Sequence, residues 1–218
     1  LSSDKTTLGT GNTAAISFKL SEASTDFTKS DIDISGGSLL SFNGSGASYT
    51  GIFTPFAKSV AQGSITVGSG KFKNPSGNTN SDGTEANNSL SIQVDTIHPT
   101  VAITSAVKTL KARESTVTTF TLSEPSSDFT ESDIDISGGT ISDFTGSGTS
   151  YNAIFTPNTE STINGLISIK SDKFADPFGN RNQDGFDDDN NLSLSVDTVL
   201  PTIAISSDKS TIKAGETA

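Results

Sequence analysis

The chain is predicted to be all-β, built as sandwich domains in tandem, and three observations carry that prediction. Apolar residues alternate with polar ones in short runs, no stretch of helical length carries an i, i+3, i+4 apolar stripe, and the sequence repeats itself at a fixed interval. Glu22 recurs at Glu124, Asp31 at Asp133, Pro55 at Pro157, Asn78 at Asn180 and Asp95 at Asp197. Each pair is 102 residues apart (124 − 22, 197 − 95), so the two copies align without a gap.

The seam between the copies is Val94-Asp95-Thr96-Ile97-His98-Pro99-Thr100, which returns as Val196-Asp197-Thr198-Val199-Leu200-Pro201-Thr202. In each copy an aspartate ends one alternating run and a proline stiffens the joint before the next. Residues Ile205–Ala218 (ISSDKSTIKAGETA) match Leu1–Ala14 (LSSDKTTLGTGNTA) and open a third copy. The chain therefore reads as a window of a longer array: residues 1–98 form a first repeat with a truncated opening strand, 99–200 a second, and 201–218 the opening strand of a third.

Within the first copy Ile16, Phe18 and Leu20 alternate with Ser17 and Lys19; Ile32 and Ile34 alternate with Asp31 and Asp33; Leu90, Ile92 and Val94 alternate with Ser91 and Gln93. The second copy places strands near Val101–Ser105, Thr116–Ser123, Asp133–Ser137, Thr140–Phe144, Ser150–Thr156, Gly165–Lys170 and Asn191–Val196, with Gly138-Gly139 and Gly146-Ser147-Gly148 at turns. About seven short strands in about 100 residues suggest an immunoglobulin-like sandwich of two sheets. Cysteine and tryptophan are absent, so only the architecture is argued.

Composition narrows the function. The formal net charge is −11, from 25 acids and 14 bases, which argues against nucleic acid or an anionic membrane as partner. No run approaches the roughly 20 apolar residues of a membrane span. Without cysteine, one reason to place the chain outside the cell is missing, but nothing places it inside.

The run Leu122-Ser123-Glu124-Pro125-Ser126-Ser127-Asp128-Phe129-Thr130-Glu131-Ser132-Asp133-Ile134, then Ser137-Gly138-Gly139-Thr140 and Phe144-Thr145-Gly146-Ser147-Gly148, resembles the bacterial Ig-like repeats of very large surface adhesins of the Bap (biofilm-associated protein) type. So does Phe174…Asp176-Pro177-Phe178-Gly179-Asn180 followed by Val196-Asp197-Thr198…Pro201-Thr202. The resemblance covers both full copies and the partial third. It implies an extracellular cell-surface stalk, often stiffened by calcium at domain junctions. The loop after Gly179-Asn180 is longer and more acidic here than in many such repeats, so the family's calcium positions do not carry over one for one.

Two loops carry a pattern of their own. In Asn78-Thr79-Asn80-Ser81-Asp82-Gly83-Thr84-Glu85 and Asn180-Arg181-Asn182-Gln183-Asp184-Gly185-Phe186-Asp187, oxygen-bearing side chains fall at positions 1, 3 and 5, glycine at 6 and an acid at 8. Calcium takes six to eight oxygens, and alternate side chains of a tight loop can converge on one ion. Asn78, Asn80, Asp82 and Glu85, with Asn180, Asn182, Asp184 and Asp187, are candidate ligands. Neutral amide ligands predict modest affinity, ~10⁻⁴–10⁻³ M. The competing reading is a solvated loop between strands.

A second candidate follows from topology. In an Ig-like sandwich the loops bearing Glu124, Asp128 and Asp133, and the loop Asn180–Asp189, lie at the end facing the preceding linker. That predicts a calcium site built by Asp95 with Glu124, Asp128 or Asp133, against the alternative of an ordinary polar linker with surface acids. The matching Glu22, Asp26 and Asp31 of the first copy have no preceding linker in this chain, and Asp197 awaits a third domain. The tail is expected to be unstructured unless a neighbouring chain accepts it by strand addition.

Catalysis has little support. His98 has Leu200 as its counterpart, and Asp31/Asp33 and Asp133/Asp135 share one strand face each, as exposed edges commonly do. Asn43-Gly44-Ser45, Asn87-Asn88-Ser89 and Asn191-Leu192-Ser193 match a glycosylation triplet but read as polar turns. The expected role is a non-enzymatic spacer whose partners are neighbouring repeats of the same chain, with surface or cell contact through a distal tip. The rivals are a strand-exchanging subunit of a filament or lattice, and a carbohydrate-binding module. The latter calls for exposed aromatics, whereas Tyr49 and Tyr151 fall on core-facing positions.

Overall fold

The computed structural model describes residues 1–83, 85–208, 210–215 and 217. The first repeat contains β1 (Ser2–Ser3), β2 (Thr7–Leu8), β3 (Ala14–Ser24), β4 (Ile32–Ser35), β5 (Gly37–Pro55), β6 (Gly63–Val67) and β7 (Ser89–Val94). The second contains β8 (Val101–Ser105), β9 (Thr109–Lys111), β10 (Thr116–Ser126), β11 (Asp135–Ser137), β12 (Gly139–Pro157), β13 (Gly165–Ser168) and β14 (Asn191–Asp197). Each repeat is a two-sheet sandwich, with sheets β1-β3-β5 and β2-β7-β6-β4 in the first and β8-β10-β12 and β9-β14-β13-β11 in the second. All pairings are antiparallel except β2 with β7 and β9 with β14.

The alternation of the sequence becomes the two faces of each sheet. Along β10, Thr116, Thr118, Phe120 and Leu122 point inward while Val117 and Thr121 face water. The second core closes around Phe129, whose ring meets Phe120, Phe144, Tyr151 and Phe174 at centroid distances of 5.0–5.9 Å. Phe27 holds the same place in the first core, against Phe18, Phe42, Tyr49 and Phe72. The edge-to-face geometry of most of these pairs suits the ring quadrupoles. Gly165 lies against the end of the Phe155 ring, so close that any Cβ there would overlap it.

Two strands differ from expectation. Thr109–Lys111 forms β9, a strand that the alternation does not predict. It is too short to show alternation, and it is held by parallel pairing of Thr109, Leu110 and Lys111 to Ser195, Val196 and Asp197. The strands expected at Thr140–Phe144 and Ser150–Thr156 are the two arms of β12. That strand folds back on itself, so that Gly139 lies against Thr156 and Gly146 against Ser150. Gly146 (φ 139°) and Gly148 (φ 64°) make the turn, where a side chain would be strained.

Among the described residues no helix is long and apolar enough to cross a membrane.

Candidate metal centre at the joint between the repeats

Strand β7 leads into a linker, Asp95–Thr100, that is pinned from both sides. On the first repeat, the buried Thr96 hydroxyl donates to the Phe56 carbonyl at 2.8 Å and accepts from Ser59 N at 2.9 Å. Asp95 N donates to Leu8 O at 3.0 Å, continuing the edge of β2. On the second repeat, Asn180 donates from Nδ2 to the Asp95 carbonyl at 2.9 Å and accepts at Oδ1 from Thr10 N at 2.5 Å. His98 Nδ1 lies 2.8 Å from the Arg181 carbonyl, and Val101 N donates to Asp184 Oδ2 at 2.5 Å. Gly9 sits so close to the Phe178 carbonyl that any larger residue would displace it.

This clamp brings three carboxylates together. Asp95 comes from the linker, Glu124 from the end of β10, and Asp176 from the loop between β13 and β14; one ligand oxygen of each lies within 4.8 Å of the others. Asp176 is buried, and its position is set by Phe178 N and Asn180 N, each donating to Oδ1 at 2.8 Å, and by Asn180 Nδ2 donating to Oδ2 at 2.6 Å. Glu124 is half-buried, and its carboxyl is pushed up to about 7, first by burial and then by the charges of Asp95 and Asp176; His98 opposes the shift. Three close carboxylates, with no Lys or Arg in a salt bridge to them among the described residues, are the donor set that a hard divalent cation takes, since calcium prefers carboxylate and carbonyl oxygens. The residues present therefore fit such an ion.

The structure sorts the remaining sequence candidates. Asp128 lies outside the cluster: its Oδ1 accepts from the Ser126 hydroxyl at 2.8 Å and from Ala175 N at 2.9 Å. Asp133 closes the turn before β11, where its Oδ2 accepts from Thr130 N at 2.8 Å. Asp26 and Asp31 do the same work in the first repeat. The Asp26 carboxyl is held below the usual carboxylate range, mainly by the N–H of Lys73 and also by the Ser24 hydroxyl.

In the acidic loops, alternate side chains turn inward to serve the loop itself. Asn182 Oδ1 accepts from Lys173 N and Phe174 N at 2.8 and 3.3 Å, so both carbonyl lone pairs are taken. Asn80 repeats this with Lys71 N and Phe72 N at 2.8 and 3.2 Å. Asn180 and Asp184 hold the joint, as described, rather than one another. Asp187 is exposed, as are Asn78, Asp82, Glu85 and Asp197. The alternate side chains of these loops thus make hydrogen bonds to backbone groups within the loop and at the joint.

Asp176 is the acid of the cluster that is not among the sequence candidates. Its first-repeat counterpart is Asn74, so recurrence across the copies could not mark it. In the first repeat Asn74 Nδ2 donates to Glu22 Oε2 at 2.6 Å, which neutralises by hydrogen bond what Asp176 crowds by charge.

Fold and sequence agree on the class. The sequence matches the bacterial Ig-like domain family over residues 1–94 and again over 95–194, and the chain belongs to that family. No curated protein matches it. Among solved structures it is similar to invasin, described as a bacterial integrin-binding protein, at 12% identity and a TM-score of 0.46 over 90% of this chain and 39% of that one. It is also similar to FdeC, an Escherichia coli adhesin (12% identity, TM-score 0.47, 89% and 62% coverage), and to the adhesin InvE of Yersinia pseudotuberculosis (11%, 0.31, 90% and 58%). The chain therefore spans less than two thirds of the length of each.

Proposed function

We propose that the chain is a non-enzymatic spacer from an extracellular bacterial surface protein, and that calcium at Asp95, Glu124 and Asp176 braces the joint between its repeats. The observation that carries this reading is the meeting of one linker carboxylate with two carboxylates of the next domain. A cation there joins the end of one domain to the start of the next, which limits bending at the joint. The proline at Pro99 restricts the same linker through its fixed φ. Calcium acts by mass action on the joined form and contributes about 1.4 kcal/mol at ten times its Kd.

The test is small-angle X-ray scattering with a parallel thermal melt, in calcium and then in excess chelator. The reading expects chelation to shorten the particle and lower the melting temperature of the second repeat. Unchanged length and melting in chelator would leave the three acids as a cluster without a cation and remove calcium from the account.

A further inference from the structure

Neighbouring strands stand at the entry and the exit of the second repeat. After β8 the chain crosses to the other sheet through residues 106–108 and forms β9, and it leaves along β14. These two strands are parallel, with Thr109, Leu110 and Lys111 facing Ser195, Val196 and Asp197, and Ser195 N donates to the Lys108 carbonyl at 2.8 Å. The other strand pairings of this repeat are antiparallel. Leu110 and Val196 both point into the core and are 1% and 4% exposed.

That arrangement decides how tension meets the fold. Because parallel strands share one direction, a pull along the chain drags β9 toward its own start and β14 toward its own end. The two strands must then slide past each other. In a parallel pair the hydrogen bonds are evenly spaced, so sliding loads all the rungs together, whereas peeling from one end breaks them in turn. Sliding also costs the register of the core, since a slip of one residue turns Leu110 to the other face. We propose that β9 and β14 form a shear lock that lets the repeat keep its fold under tension along the chain. The use of such a lock rests on the spacer reading, while the lock itself needs no cation.

Both approaches to the lock are braced. Beyond β14 the Thr198 hydroxyl donates to the Asn158 carbonyl at 2.7 Å and accepts from Ser161 N at 2.8 Å, while Thr198 N donates to the Ser161 carbonyl at 2.9 Å. A pull from that side reaches this anchor before it reaches the rungs. From the other side it reaches β8 first, where Thr100 N donates to Ser123 Oγ at 2.8 Å and Ser123 N to the Thr100 carbonyl at 2.9 Å. Once β8 gives way, β9 bears the load. The first repeat carries the same device: β2 is parallel to β7, with Thr7 facing Gln93 and Leu8 facing Val94, and Asp95 N extends the pair by donating to the Leu8 carbonyl at 3.0 Å. Forced unfolding is governed by the unfolding rate, so resistance to a pull depends on its direction while the melting temperature does not.

The absence of cysteine lets the pull be applied at chosen points. In K108C/V199C, thiol-linked handles load β9 from its start and β14 from its end, which is the direction of tension in the chain. In R113C/V199C they pull both strands from the same end, where Lys111 faces Asp197, and so peel the same rungs in turn. All three positions are exposed, so neither pair of replacements touches the core. The measurement is single-molecule force spectroscopy of the full chain, in chelator and at one loading rate. The second repeat is expected to yield at a several-fold higher force in K108C/V199C than in R113C/V199C. Equal forces, or a higher force in R113C/V199C, would overturn the lock. Either result would leave standing the spacer and its cation, which the scattering test addresses separately.

Discussion

Asn180 holds Asp95 by its main chain: the Asn180 amide donates to the Asp95 carbonyl at 2.9 Å while its own carbonyl accepts from Thr10 at 2.5 Å. One buried side chain thus touches the turn after β2 of the first repeat, the linker and, through Asp176, the acid cluster of the second. Asn180→Ala removes all of these at once and strands buried partners. The expected loss is about 1–3 kcal/mol of second-repeat stability, the ordinary cost of unsatisfied buried polar groups. Scattering should show a more bent particle. A variant that keeps both wild-type stability and wild-type length would mean that the linker is rigid without this clamp.

The three carboxylates make opposite predictions with and without metal. In chelator, Glu124→Gln relieves repulsion by Asp95 and Asp176, so the second repeat should melt higher than wild type. In calcium the same change removes a charged ligand, and the rise in melting temperature produced by calcium should shrink or vanish. Asp176→Asn, which copies the Asn74 of the first repeat, should behave likewise. Titration calorimetry with calcium checks both, and wild-type affinity in either variant would take that residue out of the site.

The sign of the pH dependence follows from Glu124. Its folded carboxyl titrates at about 7, above its ordinary 4.5, because burial and then its two acidic neighbours disfavour the charge. Between those values the folded state binds more protons than the unfolded one, so stability falls as pH rises. In chelator the second repeat should therefore melt higher near the bottom of that window than above it, and Glu124→Gln should flatten the dependence. A wild-type melting temperature that rises across the window would contradict this.

How much of this was legible in the sequence depended on whether a feature repeats. Alternation and the 102-residue interval located most of the strands, because half-buried strands must alternate and duplicated domains must keep register. The short β9 escaped, since a three-residue strand held by parallel pairing leaves no period to read. The joint was readable as a meeting of Asp95 with Glu124, two acids that topology places at one end. Asp176 was not, because Asn74 breaks the recurrence that drew attention to the others. The loop oxygens serve a second use that spacing alone does not separate from the first. Asn at alternate positions satisfies backbone N–H groups as readily as it ligates a cation, and sequence spacing does not separate the two.

The unequal edges of the repeats should appear as unequal stabilities. Phe174 is fully buried, while its counterpart Phe72 lines an open groove and is only half-buried. Both rings pack on a central phenylalanine at nearly the same distance, 5.2 Å to Phe129 and 5.1 Å to Phe27, so their local contact is matched and their solvent exposure is not. Phe174→Ala is expected to cost about 3–5 kcal/mol, the range for removing a buried aromatic ring. Phe72→Ala should cost less than half of that, because the ring already faces water on one side and leaves no closed cavity. Urea denaturation followed separately for each repeat measures both. Equal losses would mean that Phe72 is as enclosed as Phe174 in solution.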